Sequence, residues 1–360
     1  KNLSDKSQDN IITRMYLSRE KQLRELFPKM KSFRLKQVDQ SLFNNDFYGW
    51  SDVSVFPTPM KEAVRKNIPW MSVTLVQIYE SKLKDTYKAV LKTSDGKNFE
   101  TVLMQNRREQ WTICVSSQIG CAMKCTFCAT GMMGLKRSMH SDEIIDQYRF
   151  WKQFLKGKPE LNQRISNVVF MGMGEPLANY ENLKTTIKTW LKYTDLGPTK
   201  IMVSTVGVLS QMKKLLTDPE WPPVQIAISL HSPNQQKREE IVPSTIPNFI
   251  KDLAAWSQDY ERLLGNRNHK LTFEYTLISH VNDTPELAKE LGQYVRKTTI
   301  KKVNVIPYNP VQGKDFSRAE VDRIDRFKEI LREFDVDVTQ RRTMGDDIDA
   351  ACGQLALSSD

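Results

Sequence analysis

The chain predicts an α/β fold, a partial and open (β/α)6 barrel preceded by a small N-terminal helical domain and a short β-meander. From Trp111 onward, six apolar strand-like runs alternate with helical patterns, which implies a parallel sheet with right-handed crossovers. Six units fall short of the eight that close a barrel, so the sheet is expected to stay open on a side wide enough for a macromolecule. Ahead of them the hydrophobic period changes, from helical spacing before Trp70 to strict alternation over Val73–Gln105.

The elements follow in order. Residues 1–10 are polar and charged and are expected to be disordered. Leu23, Leu26 and Phe27 recur at helical spacing up to a break at Pro28, and a second helix is expected around Phe33–Val38. The Pro57-Thr-Pro59 break precedes a helix near Met60–Lys66, which completes an accessory domain over residues 1–72. Residues 73–105 form the meander, turning at Ser94-Asp95-Gly96. In the barrel, residues 106–360, strands are expected at Trp111–Ser117, Asn167–Met173, Lys200–Thr205, Val224–Leu230, Leu271–Ile278 and Lys302–Tyr308. Helix Ser141–Leu155 takes Ser141 as its N-cap and shows one face of Ile144, Ile145, Tyr148, Trp151 and Leu155. Helix Ser317–Phe334 and a short strand, Asp337–Arg341, finish the barrel.

At 360 residues there is ample core for one large domain and a small one. No apolar run is long enough to span a bilayer and no secretory pattern opens the sequence, so no membrane partner is expected. Five cysteines, three of them packed together, do not read as a secreted disulfide framework and suit a reducing cytoplasm. A monomer is expected. The net charge of +10 suits a polyanionic partner. Residues 1–70 hold thirteen Lys/Arg against eight Asp/Glu, about half of the excess. There, Arg34, Lys36, Lys61, Arg65 and Lys66 interleave with Phe43, Phe47, Tyr48 and Trp50. A helical bundle with solvated lysines and an RNA-docking module using phosphate contacts and stacking explain this equally well.

The chemistry concentrates in Cys121-Ala-Met-Lys-Cys125-Thr-Phe-Cys128. Three thiolates serve a cubane of four irons and leave one iron open, whereas a cluster with four cysteines is an electron carrier. A zinc site would want a fourth ligand, with His140 the nearest candidate. A disulfide is disfavoured by the crowding and the odd cysteine count. The C-x3-C-x2-C spacing, with Phe127 before the last cysteine, resembles the radical-SAM superfamily, in which S-adenosylmethionine chelates the open iron. Ligands of parallel α/β folds bind at the carboxyl ends of strands, and each expected strand here ends in small or polar residues. Met171-Gly-Met-Gly-Glu-Pro176 offers Gly174 for close backbone approach and Glu175 for an ammonium group. Ser204, Ser229 and Asn309 end later strands and could bond ribose and methionyl groups, with loop capping as the ordinary alternative. Two cysteines stand apart: Cys114, in the first strand, and Cys352, in Gly345-Asp-Asp-Ile-Asp-Ala-Ala-Cys-Gly-Gln-Leu355. A leftover cysteine is usually a small buried hydrophobe, but the acidic, glycine-flanked setting of Cys352 looks like an active loop.

Taken together, Trp111–Cys121, Met-Gly-Met-Gly-Glu-Pro, Ser-Leu-His-Ser-Pro-Asn and the Cys352 motif resemble the RlmN/Cfr family of radical-SAM RNA methyltransferases, from about Phe33 to Ala356. The resemblance implies a [4Fe-4S] cluster on Cys121, Cys125 and Cys128. It also implies S-adenosyl-L-methionine contacts at Gly174, Glu175, Ser204, Ser229, Leu230, His231 and Asn309. It makes Cys352 the methyl carrier, Cys114 the cysteine that resolves the adduct by forming a disulfide, and Glu100 the base. Without the resemblance Glu100 would be an exposed strand carboxylate. The implied substrates are 23S rRNA and tRNA, and the implied reductant is a flavodoxin or ferredoxin. Gly345-Asp346-Asp347 resembles the branch that methylates adenine C2; the branch that methylates C8 is the alternative. A non-catalytic iron–sulfur or zinc RNA-binding protein would leave Cys114, Cys352 and the strand-end residues unexplained.

Overall fold

The computed structural model describes residues 18–265 and 270–356, so the disorder expected of residues 1–10 lies outside the described residues. Among the described residues three α-helices come first: α1 (Arg19–Leu26), α2 (Ser32–Leu42) and α3 (Thr58–Asn67). The Ser18 hydroxyl accepts a bond from Lys21 N–H at the start of α1, and Pro28 prevents its continuation. Leu23, Val38, Leu42, Trp50, Val53, Phe56, Val64 and Ile68 give these helices a core of their own. Trp50 belongs to that core, and Phe43 stacks on Tyr193 of a barrel helix, with centroids 5.7 Å apart. Tyr48 is therefore the exposed member of that aromatic series, and Phe33 of α2 is exposed as well.

Strands β1 (Val73–Glu80), β2 (Thr86–Thr93) and β3 (Asn98–Gln105) form the meander. It continues directly into the barrel, because β3 pairs antiparallel with β4 (Trp111–Cys114), setting Val102 opposite Cys114. A parallel series then runs through β7 (Ile165–Phe170), β8 (Ile201–Thr205), β9 (Gln225–Ser229), β10 (Leu271–Leu277), β11 (Lys302–Pro307) and β12 (Asp337–Gln340). The ten strands lie in the order β1-β2-β3-β4-β7-β8-β9-β10-β11-β12, with β1 and β12 as edges. The sheet does not close, as the six strand–helix units predicted. Helices α4 (Ser141–Lys156), α5 (Tyr180–Tyr193), α6 (Leu209–Thr217), α7 (Gln235–Ile241), α8 (Phe249–Leu264), α9 (Pro285–Arg296) and α10 (Val321–Arg332) provide the crossovers. Trp111, Trp151 and Trp190 are fully buried in the single large core between sheet and helices.

Several element ends differ from expectation. The first barrel strand stops at Cys114: Val115 N–H still bonds Val169 O of β7, but Ser117 N–H goes to Met173 O beyond the end of β7. The chain then makes β5 (Gln118–Ile119), which pairs antiparallel with β6 (Arg137–Ser138), and the three clustered cysteines hang in the loop between them. Likewise β7 ends at Phe170, where Gly172 and Met173 bend back to Val115 O and the Ser116 hydroxyl. Ser141 is the first residue of α4 rather than its cap. The Glu143 carboxylate takes the N–H of His140, and the Asn182 amide oxygen takes that of Ser141. α10 starts at Val321 because Ser317 and Arg318 are spent on backbone pairing with Ser279 and Ile278.

One carboxylate fastens the N-terminal helices to the barrel. Asp146 of α4, fully buried, accepts bonds from Arg19 Nη2 (2.6 Å), Ser72 N (2.6 Å), Ser72 Oγ (2.7 Å) and Arg149 Nη1 (2.5 Å). Arg149 also reaches Leu42 O and Trp70 O and packs on the Trp70 ring. Burial pushes the Asp146 pKa up, but Arg149 and Arg19 outweigh it and hold the carboxyl down at about 2. Asp146→Ala strands two buried guanidiniums and is expected to cost about 3–5 kcal/mol in urea unfolding at neutral pH. The folded pKa lies below the unfolded value, so this contribution is complete above the ordinary aspartate range and fades as pH falls through about 2. A loss below about 1 kcal/mol, the level of an exposed ion pair, would contradict the bolt.

Candidate active site

Two cavities open at the carboxyl ends of the parallel strands, and Cys352 lines both. The first, about 130 Å³, has Cys121, Cys125 and Cys128 on one wall and Gly174, Glu175, Ser204, Ser229 and His231 on the others. The second, about 110 Å³, holds Cys114, Asn309 and Arg341, with apolar walls of Met104, Val169, Met171 and Ile306.

The cysteine loop is rigidly built. Cys121 N–H bonds Gly134 O, Cys128 N–H bonds Cys125 O, and Thr126 N–H bonds Ile241 O at the end of α7. The Phe127 ring stands edge-on to His231 at 4.7 Å, which gives the aromatic residue of the motif a packing role. All five cysteines are free thiols. Among the described residues no three His, Cys, Asp or Glu side chains close on a point as a lone metal ion requires. His140, the fourth ligand a zinc site would need, is not on the cavity wall. Three thiols disposed around a cavity fit a polynuclear cluster better than a tetrahedral ion. Burial pushes Cys121 up to about 12 and Cys125 well above the ordinary thiol value, so metal binding there would have to displace both protons.

On the facing wall, Gly174 has φ +96°, and a Cβ there would lie 2.4 Å from Gln118 Cβ. Gln118 Oε1 accepts the Glu175 N–H at 2.9 Å. The Glu175 carboxylate is buried and accepts N–H bonds from Leu177 and Val206 at 2.9 Å each, tying the β7 exit to the β8 exit. Ser204 and Ser229 hydroxyls are 3.4 Å apart. His231 Nδ1 accepts from Thr276 N–H, and burial drives the imidazole pKa down to about 3. The ring is therefore neutral and carries its proton on Nε2. Two sequence-derived contacts lie off this wall. Leu230 is fully buried, its carbonyl bonded to Arg238, and Asn309 borders the second cavity, donating from Nδ2 to Cys352 O at 3.1 Å.

The acidic residues around Cys352 are anchors. Asp346 bonds the Gln354 amide (2.9 Å) and pairs with Arg318 (3.5 Å), and Asp347 takes the Lys82 N–H at 2.8 Å. Gly345 has φ +67°, with room for a Cβ denied by Thr86 Cγ2 at 2.7 Å. Glu100 is 1% exposed, which overturns the exposed strand carboxylate suggested by its sequence alone. Its Oε1 pairs with Lys88 Nζ at 3.2 Å, while Oε2 is buried without a hydrogen-bond partner. Burial raises its pKa to about 7 against the pull of Lys88. Glu100 lies outside the walls of both cavities, although the register puts it on the same sheet face as Val102 and Cys114.

Sequence reasoning missed Lys88, Arg341 and Glu274. Lys88, itself buried, joins Glu100 to the Asp349 carbonyl (3.3 Å) of the Cys352 loop. Arg341 makes two bonds to Glu274, at 2.9 and 3.0 Å, and its charge draws the thiol of buried Cys114 downward against burial, which leaves it at about 12; it acts in the same direction on the thiol of Cys352, a residue with exposed surface. A charged residue inside an apolar strand, as Glu274 is in Leu271–Leu277, was the available signal.

The arrangement has close relatives. Residues 115–300 match the model of the Radical SAM superfamily. A protein of Nostoc punctiforme named "Probable dual-specificity RNA methyltransferase RlmN" is 37% identical over 91% of this chain and 88% of its own. One of Nitrosopumilus maritimus named "Ribosomal RNA large subunit methyltransferase N" is 42% identical over 75% of this chain and 77% of its own. The crystal structure of a radical SAM methyltransferase from Sphaerobacter thermophilus superposes with a TM-score of 0.82, at 34% identity, covering 90% of this chain and 92% of that one. With the cysteine loop, the two cavities and these matches in place, the chain belongs to the radical SAM superfamily and, within it, to the RlmN family of methyltransferases.

Proposed function

We propose that this enzyme methylates C2 of adenosine in 23S rRNA and tRNA, using two molecules of S-adenosylmethionine per turnover. The observation that carries the proposal is the position of Cys352 on both cavities, one walled by the cluster cysteines and one holding Cys114. Adenine C2 is an electron-poor amidine carbon that cannot attack a sulfonium methyl, so the methyl needs a carrier. Cys352 accepts it as a thioether. Cys121, Cys125 and Cys128 would hold a [4Fe-4S] cluster, which when bound would supply the electron for reductive cleavage of a second S-adenosylmethionine, and the Cys352 thioether would give one hydrogen to the resulting deoxyadenosyl group.

The carbon left on Cys352 then bonds the adenine in the second cavity, whose apolar walls suit a flat base. RNA and protein are joined there through one bridging carbon. The adduct radical gives up one electron, which would return to the cluster. Glu100, on the sheet face of Cys114, removes the ring proton, and the Cys114 thiolate attacks the Cys352 sulfur. The electron pair of the breaking sulfur–carbon bond goes to the bridging carbon, which takes a proton from water as the disulfide forms and the methylated base leaves. Arg341 favours both thiolates. A flavodoxin or ferredoxin of a reducing cytoplasm would supply electrons to a monomeric enzyme. Asp346, anchored as described, supports C2 over C8, because the C8 branch tends to replace that residue with an apolar one. The N-terminal helices would grip the RNA through exposed Phe33, stacked under Arg34, and the flanking Lys29 and Lys31 around an apolar groove.

If Glu100 is the base, the single-turnover rate rises with pH through about 7. Lys88→Met removes the charge that holds this value down, so the midpoint moves upward and the rate recovers at higher pH. An unmoved midpoint would take Glu100 out of the rate-limiting proton transfer. The two isolated cysteines should fail differently. Cys352→Ala leaves protein and RNA unmethylated, whereas Cys114→Ala accumulates RNA covalently joined to Cys352, a slow band on a denaturing gel that ribonuclease destroys. Its yield falls with salt, and falls further with Lys29, Lys31 and Arg34 reversed to Glu. Full turnover by Cys114→Ala with no trapped RNA would sink the two-cysteine mechanism, and a yield indifferent to the reversals would sink the N-terminal grip.

A further inference from the structure

Arg238 of α7 is 1% exposed, and among the described residues no carboxylate forms an ion pair with it, buried Glu175 acting on it through space alone. Nε donates to Leu230 O at 3.1 Å, Nη1 to the Thr245 hydroxyl, and Nη2 to Val206 O and to Ser229 O at 3.2 Å. Every one of these acceptors is neutral. The guanidinium also lies 3.8 Å from the centroid of the Phe249 ring. Other arginines are built differently: buried Arg19 and Arg149 share Asp146, and half-buried Arg341 grips Glu274. A buried guanidinium without an anion is costly, and neutral carbonyls offset only part of that cost.

The surroundings indicate where the anion belongs. The carbonyls that hold Arg238 belong to the exits of β8 and β9, which wall the first cavity. At the other end of α7, Ile241 O accepts Thr126 N–H at 3.0 Å and its hydroxyl at 3.2 Å, so the same short helix holds the cysteine loop. Ile241 and Val242 pack with Cys125 and Phe127. Burial lowers the pKa of Arg238 to about 10, and the group that most opposes this is the Cys125 thiol.

We infer that Arg238 is a positioning residue whose charge is the fixed counter-cation of the cluster ligated by Cys121, Cys125 and Cys128, and that it sets the cluster's reduction potential. The inference rests on the reading that these cysteines hold a [4Fe-4S] cluster. A core of charge +2 with three thiolates is net negative and becomes more so on gaining an electron. A fixed cation beside it therefore favours the reduced state, and removing the cation makes reduction harder.

The test is an anaerobic redox titration of the reconstituted full-length protein, followed by electron paramagnetic resonance without substrate. Wild type is compared with Arg238→Met, Arg238→Gln and Arg238→Lys. Met and Gln are expected to lower the reduction equilibrium constant at least tenfold, about 59 mV for one electron, and Lys is expected to stay within about twofold of wild type. Gln retains donors for the carbonyls, so it decides the matter if Met fails to fold. Thermal unfolding with and without the cluster supplies a second readout. Loading should raise the midpoint of wild type more than that of the neutral variants, because it supplies the missing anion. Variants that load iron and sulfide normally, keep the wild-type potential and lose the same stability in both forms would leave Arg238 a packing residue and overturn the inference alone. A wild-type protein that takes up no iron and sulfide would overturn the cluster reading and the inference together.

Discussion

Hydrogen bonds from two sides hold the loop of Cys352 across the open mouth of the sheet. From the β11 exit, Asn309 Nδ2 reaches Cys352 O, and Pro310 O receives the Gln354 amide. From the turn after the cysteine loop, Ala129 N–H binds Gly353 O and the Thr130 hydroxyl binds Leu355 O. The sulfur of Cys352 is thereby set where two cavities meet, and the proposed chemistry depends on that placement. A loop anchored to one side alone could serve only one of them. Because the sheet stays open between β1 and β12, the loop forms this boundary without plugging a closed barrel.

Buried charge organises the rest. Asp146 between two arginines docks the N-terminal helices, Glu274 aims Arg341 at the thiols, and Lys88 links Glu100 to the loop. In each case an ion that would be costly alone is paired, so geometry and charge are fixed together. The β-meander takes part as well. It delivers Lys88 and Glu100 from adjacent strands to the sheet face of Cys114, and so belongs to the site as well as to the frame.

What was legible in the sequence was what is local. The spacing of Cys121, Cys125 and Cys128 lies within one loop, and the strand–helix rhythm follows from hydrophobic period, so both could be read directly. The strand ends were overrun at Val115–Ser117 and Met171–Met173, where the two chains stay side by side but exchange irregular bonds, Ser117 N–H to Met173 O and Met173 N–H to the Ser116 hydroxyl. The aromatic residues before Trp70 gave no sign of which face the core, and Trp50 and Phe33 separate only once α1, α2 and α3 pack. Glu100 needed its burial, and Arg238 and Lys88 needed partners far away in sequence. Leu230 and Asn309 came from the family resemblance alone; in the structure Leu230 is buried and Asn309 borders the second cavity.

The central claim is that the methyl passes through Cys352, and isotopic labelling tests it most directly. With S-adenosylmethionine bearing a fully deuterated methyl, the account predicts, by mass spectrometry, C2-methyladenosine in the digested RNA whose methyl carries two deuteriums, and the third deuterium in the free 5′-deoxyadenosine released. A product methyl that keeps all three deuteriums would contradict it.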